Sequence, residues 1–216
     1  MLAIFDEHKG FWTKERKKSL YTGVLFLSGA IVAQVAAGRY SAKSMTSFVG
    51  DIFLDNLPTM NLNYVIVDGA FIAVIIGLGL ILLKPRYLLF SLKVISLFII
   101  IRSFFVTLTH IGIYPNQITL GDSPLDQFYM FFNLQDGFFF SGHTGLPFLV
   151  ALIFWPEKFW RYLFMAISAL FAIAVILAHV HYSIDVFAAP FITYAIFKLA
   201  QLEFFQKEYA LIRGSI

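Results

Sequence analysis

Cysteine is absent from this 216-residue chain. Disulfides, cysteine nucleophiles and thiolate metal sites are therefore excluded. Charge is scarce as well: Asp, Glu, Lys and Arg make up 13% of the residues, against about 25% in soluble domains. With 59% of the chain hydrophobic, too little polar surface remains to cover a water-soluble sphere. Internal repeats, low-complexity runs and interdomain linkers are also missing. No basic stripe continues through the chain. Lys9, Lys14, Arg16, Lys17 and Lys18 all precede the first long apolar run, which suits a membrane flank better than a nucleic-acid surface. No nucleic-acid partner is expected.

What the chain does have is apolar runs of about the 20 residues that a helix needs to cross a bilayer. Six candidates lie near residues 20–37, 64–83, 87–108, 141–155, 162–178 and 183–202, the fourth being the shortest. The expected fold is an all-α integral membrane protein, a bundle of six transmembrane helices. Lys and Arg concentrate in the N-terminal segment, the Lys84-Pro85-Arg86 turn, the turn around Lys158 and Arg161, and the tail with Lys207 and Arg213. The loop 109–140 has neither, and carries Asp122, Asp126 and Asp136. The positive-inside bias then puts both termini in the cytoplasm. The expected division is a basic cytoplasmic segment at 1–19, a six-span catalytic membrane domain at 20–205 and a cytoplasmic tail at 206–216. The first span is expected to be retained, although its basic start and Ala33, Ala36 and Ala37 would also suit signal-peptide cleavage. The expected home is a bacterial plasma (inner) membrane.

Against this background two polar islands stand out: Ser141-Gly142-His143-Thr144, and His179-Val180-His181-Tyr182-Ser183-Ile184-Asp185. They hold three of the five histidines. The charge count places both on the noncytoplasmic side, at the outer membrane boundary. Ionisable residues near lipid are costly and point to function. His181 and Asp185 are four apart: a helix that includes both projects them from one face, and if the helix starts later a short turn can still bring the carboxylate to the imidazole. A carboxylate on one ring nitrogen fixes the tautomer and leaves the other as nucleophile or base. A structural histidine beside a capping aspartate is the competing reading of that pair. His143 changes the balance, because two histidines at one depth divide into a nucleophile and a general acid, as phosphoryl transfer through a phosphohistidine requires. Ser141 can cap the following helix, Gly142 permits close approach, and the helix start suits an anion. Arg102 lies one to two turns below the outer end of its span. It is expected to bind an anionic head group, with pairing to an internal acid such as Asp68 second.

These residues resemble the sphingomyelin synthase-like branch of the type 2 phosphatidic acid phosphatase superfamily. Ser141-Gly142-His143-Thr144 matches its Ser-Gly-His-Thr motif. Ala178 through Val186 is similar to its Ala-His-x-His-Tyr-Thr-x-Asp-Val run, with Ser183 in place of threonine. Arg102 through Pro115 is similar to a third family segment. Asp136-Gly137 stands where the synthases tend to have Gly-Asp, and the Lys…Arg-Pro motif of the phosphatase branch is missing. The resemblance implies catalytic His143, His181 and Asp185: His181 attacks phosphorus, Asp185 orients it and His143 protonates the leaving alcohol. It implies a phospholipid donor, a lipid alcohol (ceramide or diacylglycerol) or water as acceptor, and neither metal nor cofactor. Arg102, Ser141, Gly142, Thr144 and Tyr182 are the expected phosphate and substrate contacts. His179, Asp136, His110 and Asp68 form a second tier.

The expected function is a lipid phosphotransferase of sphingomyelin synthase type, or a phospholipase C-like hydrolase. The alternative is a lipid phosphate phosphatase releasing inorganic phosphate. Two further readings stay open: a metal enzyme built on His179, His181 and Asp185, and a noncatalytic transporter using Arg102 and Asp68.

Overall fold

A bilayer offers no water to backbone amides, so apolar runs of this length must satisfy their own hydrogen bonds as helices. The computed structural model describes residues 10–119, 124–131 and 139–214, with side chains omitted at 128–131. Its described elements are all helical: α1 (Lys14–Ser44), α2 (Asn63–Leu83), α3 (Pro85–Leu108), α4 (Pro124–Phe131), α5 (Gly142–Ile153), α6 (Lys158–Leu177), α7 (Ser183–Leu199) and α8 (Gln206–Arg213), with a π-helical turn, Ala200–Phe204, between α7 and α8.

Local chemistry sets the boundaries. Thr13 caps α1, its hydroxyl accepting from the Arg16 amide at 3.3 Å. Pro85 opens α3 at a position where its missing N–H costs nothing. Helix α1 extends beyond the apolar stretch 20–37 at both ends, because its polar flanks remain good helix formers. Residues 206–213 of the expected tail fold into α8, where Glu208 accepts from Lys93 and from Ser19.

Among the described residues five helices are long and apolar enough to cross a membrane: α1, α2, α3, α6, and α7 with its π-turn. The expected fourth span differs. Ser141 caps α5 and Pro156 follows its C-cap Phe154, leaving 12 helical residues. That is about 18 Å at 1.5 Å per residue, against a hydrocarbon core of about 30 Å.

Small residues let these helices approach. Gly23, Ala30, Gln34, Ala37 and Ser41 form the buried face of α1, which packs on α3, and a Cβ at Gly23 would touch Leu92 at 3.2 Å. Helix α5 lies between α3, α6 and α7. At Gly145 an added Cβ would come within 2.9 Å of both the Phe98 ring and the Thr193 hydroxyl. Leu25, Ile75 and Phe191 point outward, 75%, 67% and 78% exposed, as expected for side chains whose solvent is lipid.

The bundle end that carries both islands is covered by two loop segments, 45–62 and 109–119. They hold each other through Thr46 N–H to His110 C=O (2.9 Å) and Gly112 N–H to Ser47 C=O (3.1 Å). They also grip the end of α6, through Met60 N–H to Leu177 C=O (2.8 Å) and Ile118 N–H to Ala178 C=O (3.1 Å). At the opposite end Lys84 pairs with Glu157, tying the α2–α3 turn to the start of α6.

Candidate active site

His181 reaches its place by a reversal of the chain at the end of α6. His179 N–H donates to Ile176 C=O at 3.0 Å and Val180 N–H to Val175 C=O at 2.9 Å. That pair of bonds is a Schellman closure, with His179 at the left-handed position that glycine usually takes. Its φ is 56°. The reversal lays Val180 and His181 back against Val175 instead of letting them run outward. His179 Nδ1 meets the Thr59 hydroxyl at 3.1 Å, and the Tyr114 ring lies edge-on at 5.2 Å.

Helix α7 starts immediately afterwards. Asp185, in its first turn, accepts from the Tyr182 N–H at 3.1 Å through Oδ2, and the same oxygen lies 3.4 Å from His181 Nδ1. One carboxylate thus caps the helix and orients the ring. Both residues are buried, and Asp185 Oδ1 has no hydrogen-bond partner among the described residues. Asp51 holds this turn from the loop side: Oδ2 accepts from Ser183 N–H at 2.7 Å, while Oδ1 accepts from Phe53 and Leu54 N–H at 2.9 and 3.2 Å. Burial would raise the Asp51 carboxyl, but these bonds outweigh it and hold the group below its usual range.

The first island joins the second by a backbone bond, Ser141 N–H to Asp185 C=O at 3.0 Å. Ser141 caps α5, its hydroxyl accepting from Thr144 N–H at 3.3 Å, as the sequence leads one to expect. His143 follows in the first turn. Its ring centroid is 6.0 Å from that of His181 and 6.1 Å from that of Phe171. A single phosphoryl group can bridge such a gap, with near-attack contact of about 3–3.5 Å on one side and a hydrogen bond on the other.

Arg102 enters from α3, 7% exposed. Its Nε donates to Phe140 C=O at 2.9 Å, and one terminal nitrogen donates to Gln34 Oε1 at 3.2 Å. A Cβ at Gly142 would lie 3.3 Å from that Nε, so the guanidinium rests closely against the island and a larger residue there would have to shift it.

The remaining expected residues spread outward from this cluster. The Thr144 hydroxyl donates to Ser141 Oγ at 3.3 Å, and the Thr144 carbonyl accepts from Ser168 at 2.7 Å. The Tyr182 hydroxyl donates to Gly112 C=O at 2.8 Å and accepts from Val49 N–H at 3.4 Å, binding the covering loops to the turn between His181 and α7. His110 stacks edge-on to Tyr40 at 5.5 Å. Asp68 is a partly buried residue of α2, next to the Gly69–Phe171 contact. Asp136 lies outside the described residues. Among the described residues no group of three His, Asp or Glu side chains is arranged to hold a metal ion.

Three residues that complete the setting were not singled out in the sequence: Gln34, Asp51 and Thr59. An amide inside an apolar span was a usable signal for Gln34. Asp51 and Thr59 sit in ordinary-looking loop sequence, and only the fold brings them to the islands.

Residues 137–202 match the family model described as PAP2 superfamily C-terminal, a segment that contains both islands. This match supports the type 2 phosphatidic acid phosphatase superfamily, and with it a phosphatase-like or phosphotransferase-like enzyme acting in lipid chemistry. No curated protein and no solved structure matches the chain.

Proposed function

We propose that this chain is a membrane lipid phosphotransferase of sphingomyelin synthase type, or a phospholipase C-like hydrolase, working through a phosphohistidine. The observation that carries the reading is the meeting of His143, His181 and Asp185, stitched by the Ser141–Asp185 backbone bond beside Arg102.

In the first half-reaction His181 Nε2 attacks the phosphorus of a phospholipid head group. The bond from phosphorus to the diacylglycerol oxygen breaks, and His143, protonated, gives that oxygen its proton. Asp185 stabilises the positive charge that develops on the His181 ring. Arg102 balances the charge on the phosphoryl oxygens. In the second half-reaction neutral His143 takes the proton of an incoming alcohol, ceramide or diacylglycerol, or of water. The new oxygen–phosphorus bond forms as the nitrogen–phosphorus bond breaks. The steps call on no metal and no cofactor.

The proposed setting is a six-segment bundle with both termini in the cytoplasm, and the site on the noncytoplasmic side of a bacterial plasma membrane. The distribution of Lys and Arg supports the orientation. The superfamily match equally supports a second reading, a lipid phosphate phosphatase that releases inorganic phosphate.

Purified protein incubated with head-group-labelled phospholipids tests the main reading. Wild type should release diacylglycerol, and His181→Ala should lose at least about a thousandfold of that rate. Equal release by the two proteins would end the proposal. Phosphate release from phosphatidic acid, without diacylglycerol release from phospholipids, would select the phosphatase.

A further inference from the structure

The first helix sets one polar side chain against Arg102, and no step above uses it. Gln34 is 7% exposed on the buried face of α1. Its Oε1 accepts from Arg102, and Ser103 Oγ stands 3.4 Å from the same oxygen. An arginine can only donate, so the atom facing it is the amide oxygen and the remaining atom is the nitrogen. That Nε2, with two N–H donors, is buried without a hydrogen-bond partner among the described residues. An amide donor left unpaired in a nonpolar interior is costly enough that an acceptor is expected to meet it.

The acceptor is not supplied by the neighbouring helix. Ser103 Oγ donates to Ile99 C=O at 2.8 Å, and Arg102 carries donors alone. Arg102 in turn touches Gly142, the residue before His143. The order Gln34, Arg102, Gly142, His143 therefore runs from the first helix to the proposed general acid.

We infer that Gln34 is a substrate-binding residue whose side-chain amide donates to a phosphoryl oxygen of the lipid head group, alongside the Arg102 guanidinium. This rests on the phosphoryl-transfer reading of the site. It adds a contact from α1, outside the segment 137–202 that matches the family. One helix then serves twice: its oxygen orients the arginine and its nitrogen binds the anion. A neutral amide next to the guanidinium keeps a net positive charge facing the phosphate, which a carboxylate at this position would cancel.

Two substitutions test whether the Gln34 amide bears on anion binding. Gln34→Glu keeps an oxygen for Arg102 and removes both N–H donors. Gln34→Met removes both functions at similar volume. Each is measured for KM and kcat with a short-chain phosphatidylcholine in micelles. Binding of the same lipid, and of inorganic phosphate, is measured in a His181→Ala background. Both variants should raise KM about tenfold or more, the effect expected for a lost hydrogen bond to a charged group, and should weaken phosphate binding in parallel. Wild-type affinity in Gln34→Glu would overturn the inference and leave Gln34 as a positioning residue for Arg102. Gln34-dependent binding of inorganic phosphate with no turnover or binding of the lipid would keep the anion contact and reject the lipid substrate. Binding of neither by the parent protein would overturn both.

Discussion

His179 and Asp51 show how single residues set the turn that carries His181. A β-carbon in the left-handed region costs about 1–2 kcal/mol, which glycine does not pay. His179 accepts this strain at φ 56° and gains a bond to Thr59. His179→Gly should therefore keep or raise thermal stability and retain most of the turnover, because the Schellman bonds are made by the backbone. A large loss of activity with an intact fold would instead put the imidazole in the chemistry. Asp51 is the stronger structural dependence. It accepts from three backbone donors, one of them at the start of α7, where a negative charge also suits the helix dipole. Asp51→Ala leaves those donors without their acceptor and should cost roughly 1–3 kcal/mol at neutral pH. The folded carboxyl is held below its usual value. Its contribution is therefore present above the unfolded pKa of about 3.9 and fades as pH falls through the lower folded value. The melting difference between wild type and Asp51→Ala, followed from pH 7 to about pH 2, should shrink only at the acid end. A difference that stays constant to the acid limit would show that the charge is not what holds the turn.

At the scale of elements the covering loops act as one strap. Gly112 is its tightest point: an added Cβ would sit 2.3 Å from Thr46 O and 2.9 Å from Ser47 C, both backbone atoms with no rotamer to change. The Gly112 carbonyl also receives the Tyr182 hydroxyl. Gly112→Ala should part the strap, cost about 1–3 kcal/mol as overpacking does, and lower turnover by loosening the turn that carries His181. Gly79→Ala, on α2 where nothing lies within 4 Å of the new methyl, should leave stability unchanged or slightly raised. Comparable melting curves for the two variants would reject the strap. Much of this architecture was legible in sequence. The apolar runs foretold the helices and Ser141 the cap of α5, while His181 and Asp185 meet through a capping turn and not on one helix face, since α7 starts only at Ser183. The backbone bond from Ser141 to Asp185 was not legible, since hydrogen bonds between distant backbones leave no residue signature. Nor was the hold of Asp51 on Ser183, which spans 132 positions of sequence. The length of α5 was half-legible: Ser141 and Pro156 bracket it, yet the apolar run between them reads as a span until its rise is set against the bilayer.

At the scale of the whole molecule, that short helix sets the depth of the site. Lys84 and Glu157 pair at the end of the bundle where α5 terminates and α6 begins. Exposed Lys14, Lys17 and Lys18 occupy the start of α1. Under the proposed topology this is the cytoplasmic face. Helix α5 then lifts His143 only about 18 Å from it, and the folding back of His181 onto Val175 lowers the second ring to meet the first. A bilayer core of about 30 Å leaves roughly 10 Å of hydrocarbon depth above the pair, partly filled by the strap. Such a recess suits a substrate that already resides in the outer leaflet. The orientation on which this rests can be read directly, because the chain has no cysteine and any introduced thiol is the sole one. Lys17→Cys and Met60→Cys each alter an exposed side chain, one at the start of α1 and one in the strap. In right-side-out spheroplasts a membrane-impermeant maleimide should label Met60→Cys at once, and Lys17→Cys only after permeabilisation. The reverse pattern would turn the molecule over. It would move the two histidines to the cytoplasmic leaflet and change which lipids could supply the head group.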